Sequence, residues 1–322
     1  MPDIAVVPAA NVAASLAYDR LIQALRAAFI AGAHVPKRHH HAIQPKGAPE
    51  ATLLLMPAWQ TGGFLGIKIV GVFPGNSGLG IPALSSSYLL CDATTGRHLA
   101  MLDGNTITSR RTVATSALAA DFLARPDATR LLVVGAGRVA SEIPAAMRSV
   151  RPIERVEVWS PRASAAAHLV GELKDAGFDA SVAPDLEAAV RAADIVSCAT
   201  LATKPLIHGE WLSPGSHLDL IGSFTPQMRE ADDAAMRRGH VFIDDRAGLV
   251  ESGDLLLALQ SGAIASAEAC ITLAALCKGD HPGRTTSEEV TLFKAVGTAL
   301  ADLAAACLVY HDGVTAFPAD EK

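Results

Sequence analysis

A lysine interrupts a segment that otherwise reads as a dry β-strand: Phe64-Leu65-Gly66-Ile67-Lys68-Ile69-Val70-Gly71-Val72-Phe73. Side chains alternate across a strand, so Lys68 shares a face with Phe64, Gly66, Val70 and Val72. An unpaired ammonium on that face would be costly. It must reach water at a sheet edge, meet an anion, or serve chemistry with a lowered pKa. Two arginines could complete an anion site. Arg111 lies in Thr106-Ile107-Thr108-Ser109-Arg110-Arg111-Thr112, just before an Ala-rich helical stretch, and Arg38 lies in Pro36-Lys37-Arg38-His39-His40-His41. Guanidinium forks hold carboxylates bidentately, which suits an amino- or imino-acid substrate. The three histidines raise the question of a metal. Adjacent side chains cannot all point one way and no carboxylate is close by, so the run reads as a solvated loop and no metal site is expected.

A second chemical feature is Gly135-Ala136-Gly137-Arg138-Val139-Ala140, which matches G-x-G-x-x-G/A. The pattern is weak alone. Here it follows a buried apolar run, Leu131–Val134, and opens a helix within a βαβ unit, which is the context of a dinucleotide fingerprint. Gly135 permits the tight turn, Gly137 lets the backbone approach a pyrophosphate, and Ala140 lets helix and sheet pack closely. Free N–H groups and the helix dipole then hold the phosphates. NAD sites usually carry Asp or Glu at the end of the next strand. Here Val156-Glu157-Val158-Trp159 runs into Ser160-Pro161-Arg162. Glu157 comes too early, whereas Ser160 and Arg162 offer a donor and a cation suited to a 2′-phosphate. NADPH is favoured over NADH, with a merely solvated strand end as the other reading.

The elements that must position these groups follow from periodicity. Ser15 to Ala31 has helical spacing and ends at Gly32. A loop, Val35 to Pro49, precedes strand-like runs at Thr52–Met56, Phe64–Phe73 and Ser86–Cys91, with a hairpin turn at Asp92–Gly96. The first third is thus a mostly β unit opened by a helix. From Arg130 strands alternate with helices: Val156–Trp159, a helix Ser164–Ala176, Ala180–Ala183, a helix Asp185–Ala193, Ile195–Ala199, then His217–Ile221 and Val241–Asp244. That alternation implies parallel βαβ units. A final helix is expected from about Ser287 to Tyr310, packing back on the first unit.

Composition narrows the function class. Of 322 residues half are hydrophobic, 19% charged and 5% aromatic, with a net charge of −6. Such a chain builds a sizeable core of about two domains, and without a basic stripe nucleic acid is not an expected partner. Ala295 to Tyr310 is apolar but is interrupted by Asp302 and too short to span a bilayer. No signal-like pattern opens the sequence, and five scattered cysteines (Cys91, Cys198, Cys270, Cys277, Cys307) read as reduced, so a cytoplasmic protein is expected.

Taken together, the motifs resemble the ornithine cyclodeaminase/μ-crystallin family. The resemblance rests on Lys68-Ile69-Val70…Phe73-Pro74-Gly75-Asn76, Leu102-Asp103-Gly104, Ile107-Thr108…Arg111-Thr112, Ser116–Ala120 and Val134-Gly135-Ala136-Gly137. It continues through Gly222…Pro226…Arg229-Glu230…Asp232-Asp233, Glu251-Ser252-Gly253-Asp254 and Phe293-Lys294…Gly297. It implies an α/β homodimer in which a Rossmann-type parallel-sheet domain, residues 121–297, is inserted into an α+β substrate-binding and dimerisation domain, residues 1–120 plus 298–322. Arg38, Lys68 and Arg111 would surround the substrate carboxylate and reacting carbon, with Lys68 catalytic. Arg111, Thr112, Gly137, Arg138, Val139, Thr200 and the turn Ile221-Gly222-Ser223 would border the cofactor, with Ser160 and Arg162 at its ribose.

One departure points within the family. Cyclodeaminases place an aspartate two residues after the glycine of a motif ending in proline, where it handles the ornithine amino group. Here the stretch is Gly222-Ser223-Phe224-Thr225-Pro226, and phenylalanine neither accepts a proton nor binds an ammonium. The form looks more like the branch that reduces cyclic imino acids such as Δ1-pyrroline-2-carboxylate or Δ1-piperideine-2-carboxylate. A second departure is Pro161, where μ-crystallin-like members tend to have arginine. The expected function is an NAD(P)H-dependent imine reductase. The rivals are an NAD-dependent ornithine cyclodeaminase, an alanine-type dehydrogenase, and an NADPH-binding protein without catalysis.

Overall fold

The computed structural model describes residues 4–313. The chain clusters into two units, with boundaries between Arg111 and Thr112 and between Gly297 and Thr298. The first boundary falls inside the helix Gly104–Leu123, nine residues before the expected end at 120.

The first unit is built on six strands: β1 Ala5–Val7, β2 His39–Ile43, β3 Ala51–Trp59, β4 Phe64–Val72, β5 Leu84–Asp92 and β6 His98–Asp103. Their order is β1-β6-β5-β4-β3-β2, with β1 parallel to β6 and the other pairs antiparallel. Alternation along β4 buries Gly66, Lys68 and Val70 on one face. Against β3, β4 and β5 packs the last helix, Ala299–Gly313. Its Asp302, Ala305, Ala306 and Val309 recur at helical spacing and are all fully buried. The helix Tyr18–Ala31 packs on that last helix and buries Leu21, Ile22, Leu25 and Phe29.

Gly66 illustrates how tightly this face is filled. A Cβ at Gly66 would lie 2.0 Å from Tyr88 Oη and 2.5 Å from its Cζ, and the Tyr88 ring is fully buried. Gly66→Ala is therefore expected to cost about 1–3 kcal/mol by overpacking. Urea denaturation should show it as a lowered midpoint with an unchanged slope.

The second unit carries eight parallel strands: β7 Arg130–Val134, β8 Arg155–Trp159, β9 Asp179–Val182, β10 Ile195–Cys198, β11 His217–Leu220, β12 Gly239–Ile243, β13 Ile271–Thr272 and β14 Val290–Lys294. The order β13-β12-β14-β11-β10-β7-β8-β9 runs outward from β7 to β9, then crosses back to place β10 on the other side of β7. The switch point therefore lies between β7 and β10, where a doubly wound sheet opens a crevice at its carboxyl ends. Residues of β7, β10, β11 and β14 are buried on both faces, as parallel sheets require.

Four expectations from sequence are corrected. The helix read from Ser15 begins at Tyr18, and a separate short helix, Ala9–Ser15, precedes it after a short first strand. The loop containing the histidines holds β2, an exposed edge strand whose alternation leaves His39 and His41 on one side, with ring centroids 6.2 Å apart. Arg111 lies within the helix Gly104–Leu123 rather than ahead of a helix. The long last helix is a central strand, β14, followed by a helix that begins only at Ala299. Five apolar-flanked residues without a turn signal could not be told from a helix start by period alone.

Candidate active site

Lys68 reaches neither a sheet edge nor water. It is 3% exposed, opposite Met56 on β3 and Tyr88 on β5, both buried. Its Nζ lies 2.7 Å from Asp302 Oδ2, and Arg111 Nε donates to Asp302 Oδ1 at 2.8 Å. Two cations thus share one carboxylate that has no solvent exposure. Asp302 falls in the first turn of its helix, where the dipole favours negative charge. Burial pushes the Asp302 carboxyl up, but Arg111 and Lys68 outweigh it and hold it below the usual carboxylate value. Burial, joined by the charges of Arg111 and Arg38, lowers the Lys68 ammonium to about 8 against the opposing pull of Asp302. Arg38, half-buried just before β2, is therefore close enough to act on Lys68 electrostatically. The structure brings Lys68, Arg111 and Arg38 into one group of net positive charge, suited to a small carboxylate.

Asp302 is the residue that sequence reasoning missed. Its signal was present: a lone carboxylate on the apolar side of a helix needs a buried partner as much as Lys68 does. No motif connects the two, and Asp302 stands 191 residues from Arg111.

In the second unit the glycine turn lies where the strand topology requires it. Gly135 follows β7 with φ of +119°, and a Cβ there would come within 2.6 Å of the Ala199 carbonyl oxygen beyond β10. Gly137 caps the helix Arg138–Arg148 in extended conformation, with no side-chain cap and nothing within 4 Å of where a Cβ would stand. The first-turn amides of a helix have no partner within it, so open space beside them is a cradle for a phosphate. Ala140 is fully buried against the sheet. Arg138 is exposed and Val139 half-buried at the start of that helix. These residues fit a dinucleotide. Ser160 and Arg162 follow β8, the first half-buried and the second exposed, and Arg162 N–H donates to Ser160 Oγ at 3.3 Å. Thr200 follows β10, and the buried turn Ile221-Gly222-Ser223 follows β11. Thr112 lies next to Arg111 on its helix and is buried. Phe224 is half exposed just past that turn.

Among the described residues no group of three or more His, Cys, Asp or Glu side chains gathers as a metal site, and no helix is long and apolar enough to cross a membrane. The buried orphan polar atoms include Tyr88 Oη, near Asp302, and Asp254 Oδ2, near Lys294.

The parallel eight-stranded sheet with its glycine turn at the switch point defines an α/β protein with a Rossmann-type unit. Known proteins place it further. The model of the ornithine cyclodeaminase/mu-crystallin family matches residues 3–315. A Δ(1)-pyrroline-2-carboxylate reductase of Paracoccus denitrificans is 42% identical over 80% of this chain and 82% of its own length. The ketimine reductase mu-crystallin of Mus musculus is 35% identical, covering 83% and 82%. The structure of Thermococcus litoralis Δ(1)-pyrroline-2-carboxylate reductase in complex with NADH and L-proline superposes with a TM-score of 0.89 and 29% identity, over 97% of this chain and 98% of that one. The chain belongs to the ornithine cyclodeaminase/mu-crystallin family.

Proposed function

We propose that this protein is an NAD(P)H-dependent reductase of small cyclic imino acids, of the Δ1-pyrroline-2-carboxylate or Δ1-piperideine-2-carboxylate type. One observation carries the reading: a buried lysine and arginine held on a single carboxylate, in a chain that has Phe224 where ornithine chemistry needs an acid. Arg38 and Arg111 would hold the substrate carboxylate, which fixes the ring and removes much of the orientational cost of reaction. Gly135, Gly137, Arg138 and Val139 would hold the pyrophosphate, and Ser160 with Arg162 a 2′-phosphate, so NADPH is the favoured donor. When bound, the nicotinamide supplies a hydride to the imine carbon. Lys68 supplies positive charge and a proton to the nitrogen, so that C=N becomes CH–NH. Asp302 keeps Lys68 protonated near neutrality and fixes the Arg111 fork. Phe224 would give an apolar wall to a ring without a charged tail. In this reading the working form is a homodimer.

Purified protein mixed with Δ1-pyrroline-2-carboxylate or its six-membered homologue, and separately with NADPH and NADH, should oxidise the nicotinamide, NADPH faster. Absence of turnover with every cyclic and linear imino acid would sink the proposal. The pH dependence carries a sign. Because the ammonium of Lys68 is the active form and is lowered to about 8 in the free protein, kcat/KM for reduction should fall as pH rises through about 8. The reverse oxidation, which needs the neutral amine, should rise over the same range. A flat reductive profile from pH 7 to 9 would remove Lys68 as the proton source.

A further inference from the structure

We propose that Glu230 is a positioning residue that sets the spacing of the two loops beyond β10 and β11 and thereby the affinity for the dinucleotide. The proposal rests on the reductase reading above, since it assumes that these loops serve the cofactor. Glu230 has no solvent exposure. Its Oε1 accepts from Thr200 N–H at 2.8 Å and from Thr200 Oγ1 at 2.8 Å, while its Oε2 accepts from Gly222 N–H at 2.7 Å. One carboxylate therefore spans two loops that no helix or strand ladder joins at that point, both at the carboxyl ends of strands beside the switch point.

The surroundings are shaped for this tie. A Cβ at Gly222 would lie 2.1 Å from the Thr200 carbonyl oxygen and 2.3 Å from Glu230 Oε1, so the loops close upon one another only over a glycine. Glu230 is itself anchored from behind. Asp254 Oδ1 accepts from the N–H groups of Glu230 at 2.9 Å and Ala231 at 3.1 Å. Ser223 Oγ donates to the Met228 carbonyl at 2.6 Å. Buried Lys294 at the end of β14 donates to the Leu220 carbonyl at 2.9 Å and offsets the two buried carboxylates. A carboxylate is required because all three donors need an acceptor. A glutamine would turn its amide nitrogen on one loop or the other, donor against donor.

Glu230→Gln is expected to raise the Kd for NADPH, read by quenching of nicotinamide fluorescence, by about tenfold or more. The KM for NADPH should rise in parallel, with kcat at saturating cofactor little changed. Thr200→Val, which removes one of the three bonds to Glu230 and the bond from Ala202 N–H, should raise Kd by less, and the double variant by less than the product of the two. A lowered Tm with wild-type Kd in Glu230→Gln would make the residue merely structural and overturn the proposal. If Glu230→Gln does not fold, Thr200→Val decides alone, and an unchanged Kd overturns it. Failure of the wild-type protein to bind NADPH or NADH would instead reject the reductase reading.

Discussion

Lys68→Ala is expected to lower kcat for imine reduction by about 10²- to 10⁴-fold, the range for a positioned general acid. Its affinity for NADPH should stay within about twofold, because the lysine acts on the substrate and not on the phosphate cradle. The geometry explains why this loss should be one of chemistry more than of folding. Lys68 is 3% exposed, and its removal leaves Asp302 still bonded to Arg111 at 2.8 Å, so no carboxylate is stranded without a cation. Lys68→Met, which keeps the stem and loses the charge, should be as inactive as the alanine variant. Steady-state kinetics with a fluorescence titration of the cofactor checks both halves. A variant retaining more than a tenth of wild-type kcat would show that the proton comes from elsewhere.

Asp302→Ala is expected to have the largest effect on stability. It removes the carboxylate that two buried cations share, and breaking a buried ion pair from one side costs about 3–5 kcal/mol. Asp302→Asn keeps the volume and an acceptor for Arg111 but removes the charge that holds Lys68 protonated. Its ammonium should then fall below about 8, and the reductive pH profile should shift to more acid values. The sign on stability is the reverse of that for a raised acid. Asp302 is lowered below its ordinary value, so its contribution is present above the carboxylate range and lost as pH falls through the lowered one. Urea denaturation at pH 7 and pH–rate profiles of both variants test this. Wild-type stability in Asp302→Ala would mean that the pair contributes nothing.

What could be read from the sequence was local. The glycine turn after Leu131–Val134 and the alternation that follows specify a Rossmann-type unit, because strand, turn and helix are contiguous. Lys68 declared itself because a single ammonium in an apolar run has few places to go. The sequence left open whether it meets water, an anion or a substrate; the structure places it on Asp302. That partner was missed because it belongs to the last helix, where its charge read only as an interruption of an apolar stretch and no motif ties it to Lys68. β14 was missed for a related reason. Val290–Lys294 is buried on both faces and gains its partners, β11 and β12, from chain 50 or more residues away. The histidine run shows the converse: three chemically suggestive residues in a row form an exposed edge strand, and backbone pairing to β3 accounts for them.

The most direct test of the account follows the transferred atoms. Δ1-Pyrroline-2-carboxylate is incubated with the protein and reduced nicotinamide cofactor carrying two deuteriums at C4, and the product is read by mass spectrometry and NMR. Hydride transfer to the imine carbon gives proline carrying one deuterium at its α-carbon, and no ammonia when ornithine replaces the imine. Unlabelled product, or ammonia released from ornithine with only catalytic amounts of cofactor, would contradict it.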